Sequence, residues 1–205
     1  MSKIARLCFA VLFALPLAAA AQQQFGYSEV NPPQPVDAKG KIEVVEFFWY
    51  GCPHCYNLEP HIEAWLKRLP PDVEFRRIPA VFNQRWAHDA AIYYTLESMG
   101  LLDKLHRPLF DAIHKDRLQT DNQAALSEWL QKHGVDPKKF IDTMKSFGVQ
   151  SKTRRATQQT VAYKIDGTPA MAVQGRYTVS ADQGKSQQGM LQAVDQVVAM
   201  VRKQK

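Results

Sequence analysis

The stretch KIEVVEFFWYGCPHCYNLEP, Lys41–Pro60, runs from the most strand-like segment of the chain straight into a pair of cysteines. Lys41–Tyr50 is rich in valine and aromatics and apolar on both faces, the pattern of a central strand covered on both sides. Beyond it, Cys55, Leu58, Ile62, Trp65, Leu66 and Leu69 fall on one face of a helix. Pro53 suits the first turn of that helix, where a missing N–H costs nothing. Pro60 should kink it, and Pro70-Pro71 should end it. Val73–Val81 then reads as a second strand, so strand, helix and strand form a parallel crossover unit.

On the N-terminal side, Gln22–Gly40 carries Pro32, Pro33 and Pro35 and reads as irregular, with one short edge strand near Phe25–Tyr27. Before it, Lys3 and Arg6 precede an apolar run from about Leu7 to Leu17. Ala19-Ala20-Ala21 then comes before Gln22, the layout of a secretory signal peptide over residues 1–21, cleaved near Ala21-Gln22. The run is short for a membrane span. Its removal takes Cys8 away and leaves two cysteines in a compartment where disulfides persist. It also removes two cations from a formal net charge of +6, so the basic excess says little about partners. With 45% hydrophobic and 22% charged residues the chain is neither disordered nor membrane-embedded, and an exported protein without a dense basic run is not a nucleic-acid binder. No dimerisation segment is visible, which leaves a monomer as the default.

On the C-terminal side the chain turns helical from about Asn83 to Tyr163. Ala87, Ala90, Ala91 and Tyr94 share a helical face, as do Leu126, Trp129, Leu130 and His133. Gly100 and Gly134 are helix stops, and Asp136-Pro137 is a cap followed by a first-turn proline. Strand character returns at Ala170–Val173 and Arg176–Val179 around the turn pair Gln174-Gly175, and a last amphipathic helix covers about Gln188–Arg202. The layout is βαβ, a helical block, then ββα, an α/β chain.

A C-x-x-C in an exported protein is a structural disulfide, half of a metal site, a haem attachment signal or a redox centre. Tyr56 stands where haem attachment requires histidine. A closed zinc site needs four ligands, and no paired-histidine spacing supplies the missing two. A staple closing so small a loop constrains the unfolded chain little. The placement favours redox chemistry: a strand running into a helix puts Cys52 at the helix N-terminus, where free N–H groups and the dipole favour an anion. Cys52 is therefore the expected nucleophile. Cys55, aligned with Leu58 and Ile62, points to the core as the resolving thiol. His54, between them, is placed to present its ring or backbone N–H to the Cys52 sulfur.

FFWYGCPHCYNLEP resembles the active-site segment of the DsbA-type periplasmic thiol:disulfide oxidoreductases, in which Cys-Pro-His-Cys is characteristic, and Gly167-Thr168-Pro169-Ala170 resembles their cis-proline loop. The resemblance implies a thioredoxin-like fold with a helical domain inserted after the first βαβ unit: residues 22–82 and 164–205 around an insertion at 83–163. It implies a periplasmic dithiol oxidase with a redox-active Cys52–Cys55 disulfide. Cys52, Pro53, His54 and Cys55 are its catalytic motif, and Thr168 with a cis Pro169 receives an extended client peptide. Reduced exported proteins would be its clients and a membrane quinone-linked reoxidase, DsbB in the resemblance, its partner, with no metal or organic cofactor. Stabilising the Cys52 thiolate favours reduction of the enzyme and so oxidation of its client.

Glu46 interrupts the apolar strand, where an unpaired buried carboxylate is costly. The family places an acid beneath the active site with a basic partner and a proton-transfer role, and Arg77 is the candidate partner here. A guanidinium does not deprotonate, so arginine in place of a lysine would alter how protons move. Trp49 and Tyr50 border a client groove or, as aromatics ending a strand more often do, fill the core. The remaining histidines, His61, His88, His106, His114 and His133, read as surface or satisfied side chains. Two rival functions stand beside the oxidase: an isomerase or reductase of the same fold, and a non-catalytic chaperone or metal-binding protein.

Overall fold

A computed structural model describes residues 26–204; the expected signal segment and Phe25 lie outside the described residues. In chain order the elements are β1 (Ser28–Glu29), β2 (Ile42–Phe48), α1 (Pro53–Leu66), β3 (Val73–Pro79), α2 (Gln84–Ser98), α3 (Leu102–His114), α4 (Gln123–Lys132), α5 (Pro137–Met144) and α6 (Phe147–Ala162). Then follow β4 (Ala170–Val173), β5 (Tyr177–Ser180), α7 (Ala181–Gly184) and α8 (Gln187–Arg202). The sheet order is β1-β5-β4-β2-β3. β2 and β3 are parallel, as the crossover through α1 requires, and β2 pairs antiparallel with β4. This is a thioredoxin-like core with helices α2–α6 inserted between β3 and β4.

Every residue of β2 is buried because its side chains alternate between two cores. Ile42 and Val44 join Met171 and Val173 of β4 against Leu58, Ile62 and Trp65 of α1 and Leu191, Val194 and Val198 of α8. Val45 and Phe47 join Ala172 and the helical block, including Phe110, Leu130 and Tyr163. The β2 strand is thus the wall shared by both halves of the molecule.

The expected stop and turn signals act as their chemistry dictates. Gly100 and Gly134 take φ of 68° and 74° after their helices, and Asp136 caps α5 ahead of Pro137. Gln174 and Gly175 both have positive φ, 52° and 65°, the twist a two-residue hairpin needs. A side chain at 175 would also meet the Gln34 carbonyl, 2.0 Å from an added Cβ.

Several boundaries differ from expectation: β2 and β3 stop at Phe48 and Pro79, short of the Tyr50 and Val81 that their apolar runs reach. The edge strand lies at Ser28–Glu29, set by pairing with Tyr177 and Thr178 rather than by local aromatics. The helix α1 continues through Pro60 but ends at Leu66, ahead of the Pro70-Pro71 pair. β5 begins at Tyr177, because Arg176 closes the turn onto the Val173 carbonyl. The short α7, held by a capping box between Ser180 and Gln183, carries no apolar periodicity to announce it.

Candidate active site

The loop between β2 and α1 is tight. An added Cβ at Gly51 would lie 2.3–2.7 Å from the Trp49 ring, so only glycine fits there. The backbone N–H of Cys52 donates to the Trp49 carbonyl (3.0 Å), and Cys52 becomes the N-cap of α1 with Pro53 in the first turn. Its sulfur does what a capping oxygen does elsewhere, accepting from the Cys55 backbone N–H at 3.3 Å. Both thiols are free; Cys52 is 6% exposed and Cys55 is fully buried.

The two sulfurs differ in their affinity for a proton. A hydrogen bond from the Cys55 thiol is the largest influence on Cys52. Partial burial opposes it, and a side-chain bond from Thr168 with the backbone N–H groups of Cys55 and His54 adds to it, leaving Cys52 lowered to about 5. Burial pushes Cys55 well above the ordinary thiol range, and the neighbouring Cys52 pushes it further. His54 reaches Cys52 through its backbone, and its side chain is exposed.

Thr168 and Pro169 arrive from the far end of the insertion. The peptide bond between them is cis, and the Cys52 thiol donates to the Thr168 carbonyl at 3.3 Å. On one flank Trp49 stacks on Trp86 (4.2 Å between centroids, 13° between planes) and donates from Nε1 to Asp89 (2.7 Å). Phe82, 43% exposed, continues this aromatic shelf onto Trp86. Tyr50 turns inward and is core, whereas Trp49 is half-buried at the border.

Beneath the cysteines lies a buried charged layer. The parallel register sets Glu46 opposite Arg77, and Arg77 Nε donates to Glu46 Oε2 at 2.9 Å. Glu46 is fully buried, on a strand flanked by β3 and β4, and does not reach solvent. Burial raises it to about 8 against the pull of Arg77. The same guanidinium donates to both oxygens of Glu59 (3.1 and 3.0 Å), and His106 Nε2 lies 3.4 Å from Glu59 Oε1. Burial works against the Glu59 carboxylate too, but bonds from His106 and Arg77 outweigh it and hold it below its usual range. Glu59 and His106 are functional candidates that the sequence reading passed over. Glu59 sits inside the apolar stripe of α1 between Leu58 and Ile62, and His106 adjoins Leu105, Leu109 and Phe110 on the buried side of α3; an acid and a base within apolar stripes were the available signals.

Among the described residues no group of three or more His, Cys, Asp or Glu side chains is placed to hold a metal ion, and no helix is long and apolar enough to cross a membrane.

The model of the DSBA-like thioredoxin domain family matches residues 77–194. The thiol:disulfide interchange protein DsbA of Bordetella parapertussis is 43% identical over 200 residues, covering 97% of this chain and 94% of that protein. That of Azotobacter vinelandii is 42% identical over 176 residues, 86% of this chain and 82% of the relative. This chain belongs to the DsbA family. Among solved structures, Pseudomonas aeruginosa DsbA superposes with a TM-score of 0.82 at 38% identity, covering 87% of this chain and 93% of that one. The oxidoreductase DsbA from Xylella fastidiosa gives 0.80 at 31% identity, covering 86% and 95%. As a DsbA-family member the protein is a thiol:disulfide oxidoreductase, a periplasmic dithiol oxidase that acts on exported proteins and is returned to its oxidised form by a membrane reoxidase.

Proposed function

We propose that Cys52 exchanges with clients, that Cys55 is the thiol displaced from it and re-forms the disulfide on reoxidation, and that Glu46 supplies the proton that Cys55 needs. The observation that carries this is the opposed setting of the two sulfurs on one helix turn, Cys52 capping the helix with 6% exposure and Cys55 sealed in the core. A client thiolate attacks Cys52 Sγ, a client–Cys52 disulfide forms, and the Cys52–Cys55 bond breaks with the electron pair leaving on Cys55. That buried thiolate takes a proton from Glu46, whose raised affinity keeps it protonated at neutral pH. The second client thiolate then attacks the client sulfur of the mixed disulfide, and Cys52 leaves as the stabilised thiolate.

The Thr168 carbonyl accepts from Cys52 only while that sulfur is a protonated thiol, and is released when Cys52 is ionised, as at neutral pH, or bonded to a client. It then accepts from the backbone of an extended client beside Pro169, in the manner of strand addition. Pro53 and His54 shape the first turn, and His54 adds a backbone N–H to the thiolate. Arg77 holds Glu46 in place as a fixed cation. Family membership supports a quinone-linked, DsbB-like reoxidase. The division at 82/83 and 163/164 is supported by α2 and α6, the first and last helices between β3 and β4.

The direct experiment is Cys55→Ser in the full-length protein. Its Cys52 thiolate should attack clients that carry a disulfide, expel a client thiolate and accumulate as the client–Cys52 mixed disulfide, whereas Cys52→Ser forms none. Client oxidation surviving in Cys52→Ser overturns the assignment. Glu46→Gln tests the proton donor: the step that displaces Cys55 should slow and lose its pH dependence, and an unchanged pH profile removes Glu46 from the mechanism.

A further inference from the structure

Arg77 brings one positive charge to two buried carboxylates, Glu46 and Glu59, so this cluster is neutral only when it also holds one proton. The geometry distinguishes the two acids. Glu59 receives Arg77 NH2 on both oxygens and His106 Nε2 on Oε1. Glu46 receives Arg77 Nε on Oε2 alone, and its Oε1 is buried without any hydrogen-bond partner. A buried carboxylate oxygen with no donor is costly, so the proton belongs on the less well served acid.

Resting on the reading of Glu46 as proton donor, we propose that His106 is a positioning residue that assigns the shared proton to Glu46, the acid behind Cys55, by holding Glu59 as the carboxylate. His106 belongs to α3 of the inserted helices, so the insertion sets the proton chemistry of the thioredoxin-like core. Its ring is fixed for the task. Nδ1 lies 2.9 Å from the Tyr50 hydroxyl, and the ring packs edge-on against Phe48 and Phe110 at 5.4 and 5.2 Å. With Nδ1 accepting from Tyr50, the hydrogen is on Nε2 and points at Glu59.

The titratable and charged groups around the cluster are Cys52 and Cys55 at the start of α1, Glu59 on α1, Tyr50 in the loop, Arg77 on β3, Tyr93 on α2 and Arg107 on α3. Burial, with the cations Arg77 and Arg107, keeps the imidazole neutral despite Glu59. Glu59, Arg77 and His106 also line a cleft of about 530 Å³ that neither Cys52 nor Thr168 lines, so the cluster meets solvent away from the client face.

The experiment uses the full-length protein. It follows displacement of Cys55 by rapid reduction of the disulfide with a small dithiol, corrected for the reductant's thiolate fraction, as a function of pH. His106→Phe removes the donor and keeps an apolar ring. The proton should move to Glu59, and the alkaline midpoint should fall by about one unit, a tenfold loss of proton affinity. His106→Gln, which returns an N–H, should restore the midpoint. A folded His106→Phe with the wild-type midpoint overturns the proposal. Should it not fold, His106→Leu is read in the same way.

Infrared spectra give a second reading. A protonated-carboxyl band should be present at neutral pH, and in His106→Phe it should shift in frequency as the proton passes to the acid with different partners; an unmoved band overturns the assignment. Loss of the pH dependence in Glu46→Gln alongside an unmoved His106→Phe leaves Glu46 as donor and removes His106 alone. An unchanged profile in Glu46→Gln removes the donor reading itself.

Discussion

The two sides of the cysteine turn are built from opposite materials. The client side is assembled from backbone: the N-terminal N–H groups of α1, the Thr168 carbonyl and a thiol acting as its own helix cap. The core side is assembled from side chains, Glu46, Arg77, Glu59 and His106, carried by two strands and two helices. Backbone donors stabilise an anion without being able to take its proton, whereas carboxylates and imidazole hold and release protons. A dithiol oxidase needs both, because one sulfur must leave as an anion while the other must be neutralised in the core.

The sharpest way to break this comparison is to exchange the sulfurs' roles. Cys52→Ser should lower client oxidation by more than about a thousandfold, since the proposed exchanging thiol itself is lost. In Cys55→Ser the exchange of the Cys52 thiolate with a client disulfide survives, and its equal loss in the two variants would abolish the distinction between the sides. Next in size is the wall between the two sides. Phe48→Ala should cost about 3–5 kcal/mol in denaturant unfolding, because Phe48 is fully buried among Tyr50, Tyr93, His106 and Phe110. A cost below about 1 kcal/mol would show that the core side relaxes around the gap.

A pH series sharpens the contrast further, since the two sides carry opposite signs. Cys52 has its folded proton affinity lowered from 9.0 to about 5, so its contribution to the stability of the reduced form is complete above pH 9 and is lost as pH falls toward 5. Glu46 is raised from 4.5 to about 8, so it takes up protons relative to the unfolded chain, and stability from it declines as pH rises from about 4.5 to 8. The oxidised form has no Cys52 thiol to titrate. The reduced-minus-oxidised difference in unfolding free energy should therefore grow between pH 5 and 9, and a flat difference would deny the thiolate its role. The smallest effect is expected for Thr168→Val, which removes one side-chain bond to the sulfur. The Cys52 ionisation midpoint, read from thiolate absorbance, should rise by about one unit or less, roughly 1.4 kcal/mol at most. No rise would assign all of the stabilisation to α1.

The same division explains what could be read from the sequence. The client side is local or marked by special residues: Cys-Pro-His-Cys after a strand, and Gly-Thr-Pro before one. The strand, the crossover and the helical block were legible because periodicity reports burial directly. Glu46 stood out as a charge in an apolar run, and Arg77 as the cation on the next strand, which the register then placed opposite it. Glu59 and His106 did not stand out, because each is an ordinary polar residue in an amphipathic helix until two helices distant in sequence converge on Arg77. The edge strand at Ser28–Glu29 and the short α7 are likewise fixed by tertiary partners rather than by local pattern.

The contact between the Cys52 sulfur and the Thr168 carbonyl spans 116 residues of chain. With all five inserted helices lying between its halves, the site has no partial form: a chain emerging from the export channel displays its cysteine turn long before the loop that completes it. Formation of such distant contacts comes late in folding. A chain that stops short of Thr168 therefore carries its cysteine turn without the carbonyl that Cys52 meets and without the cis-proline loop beside it.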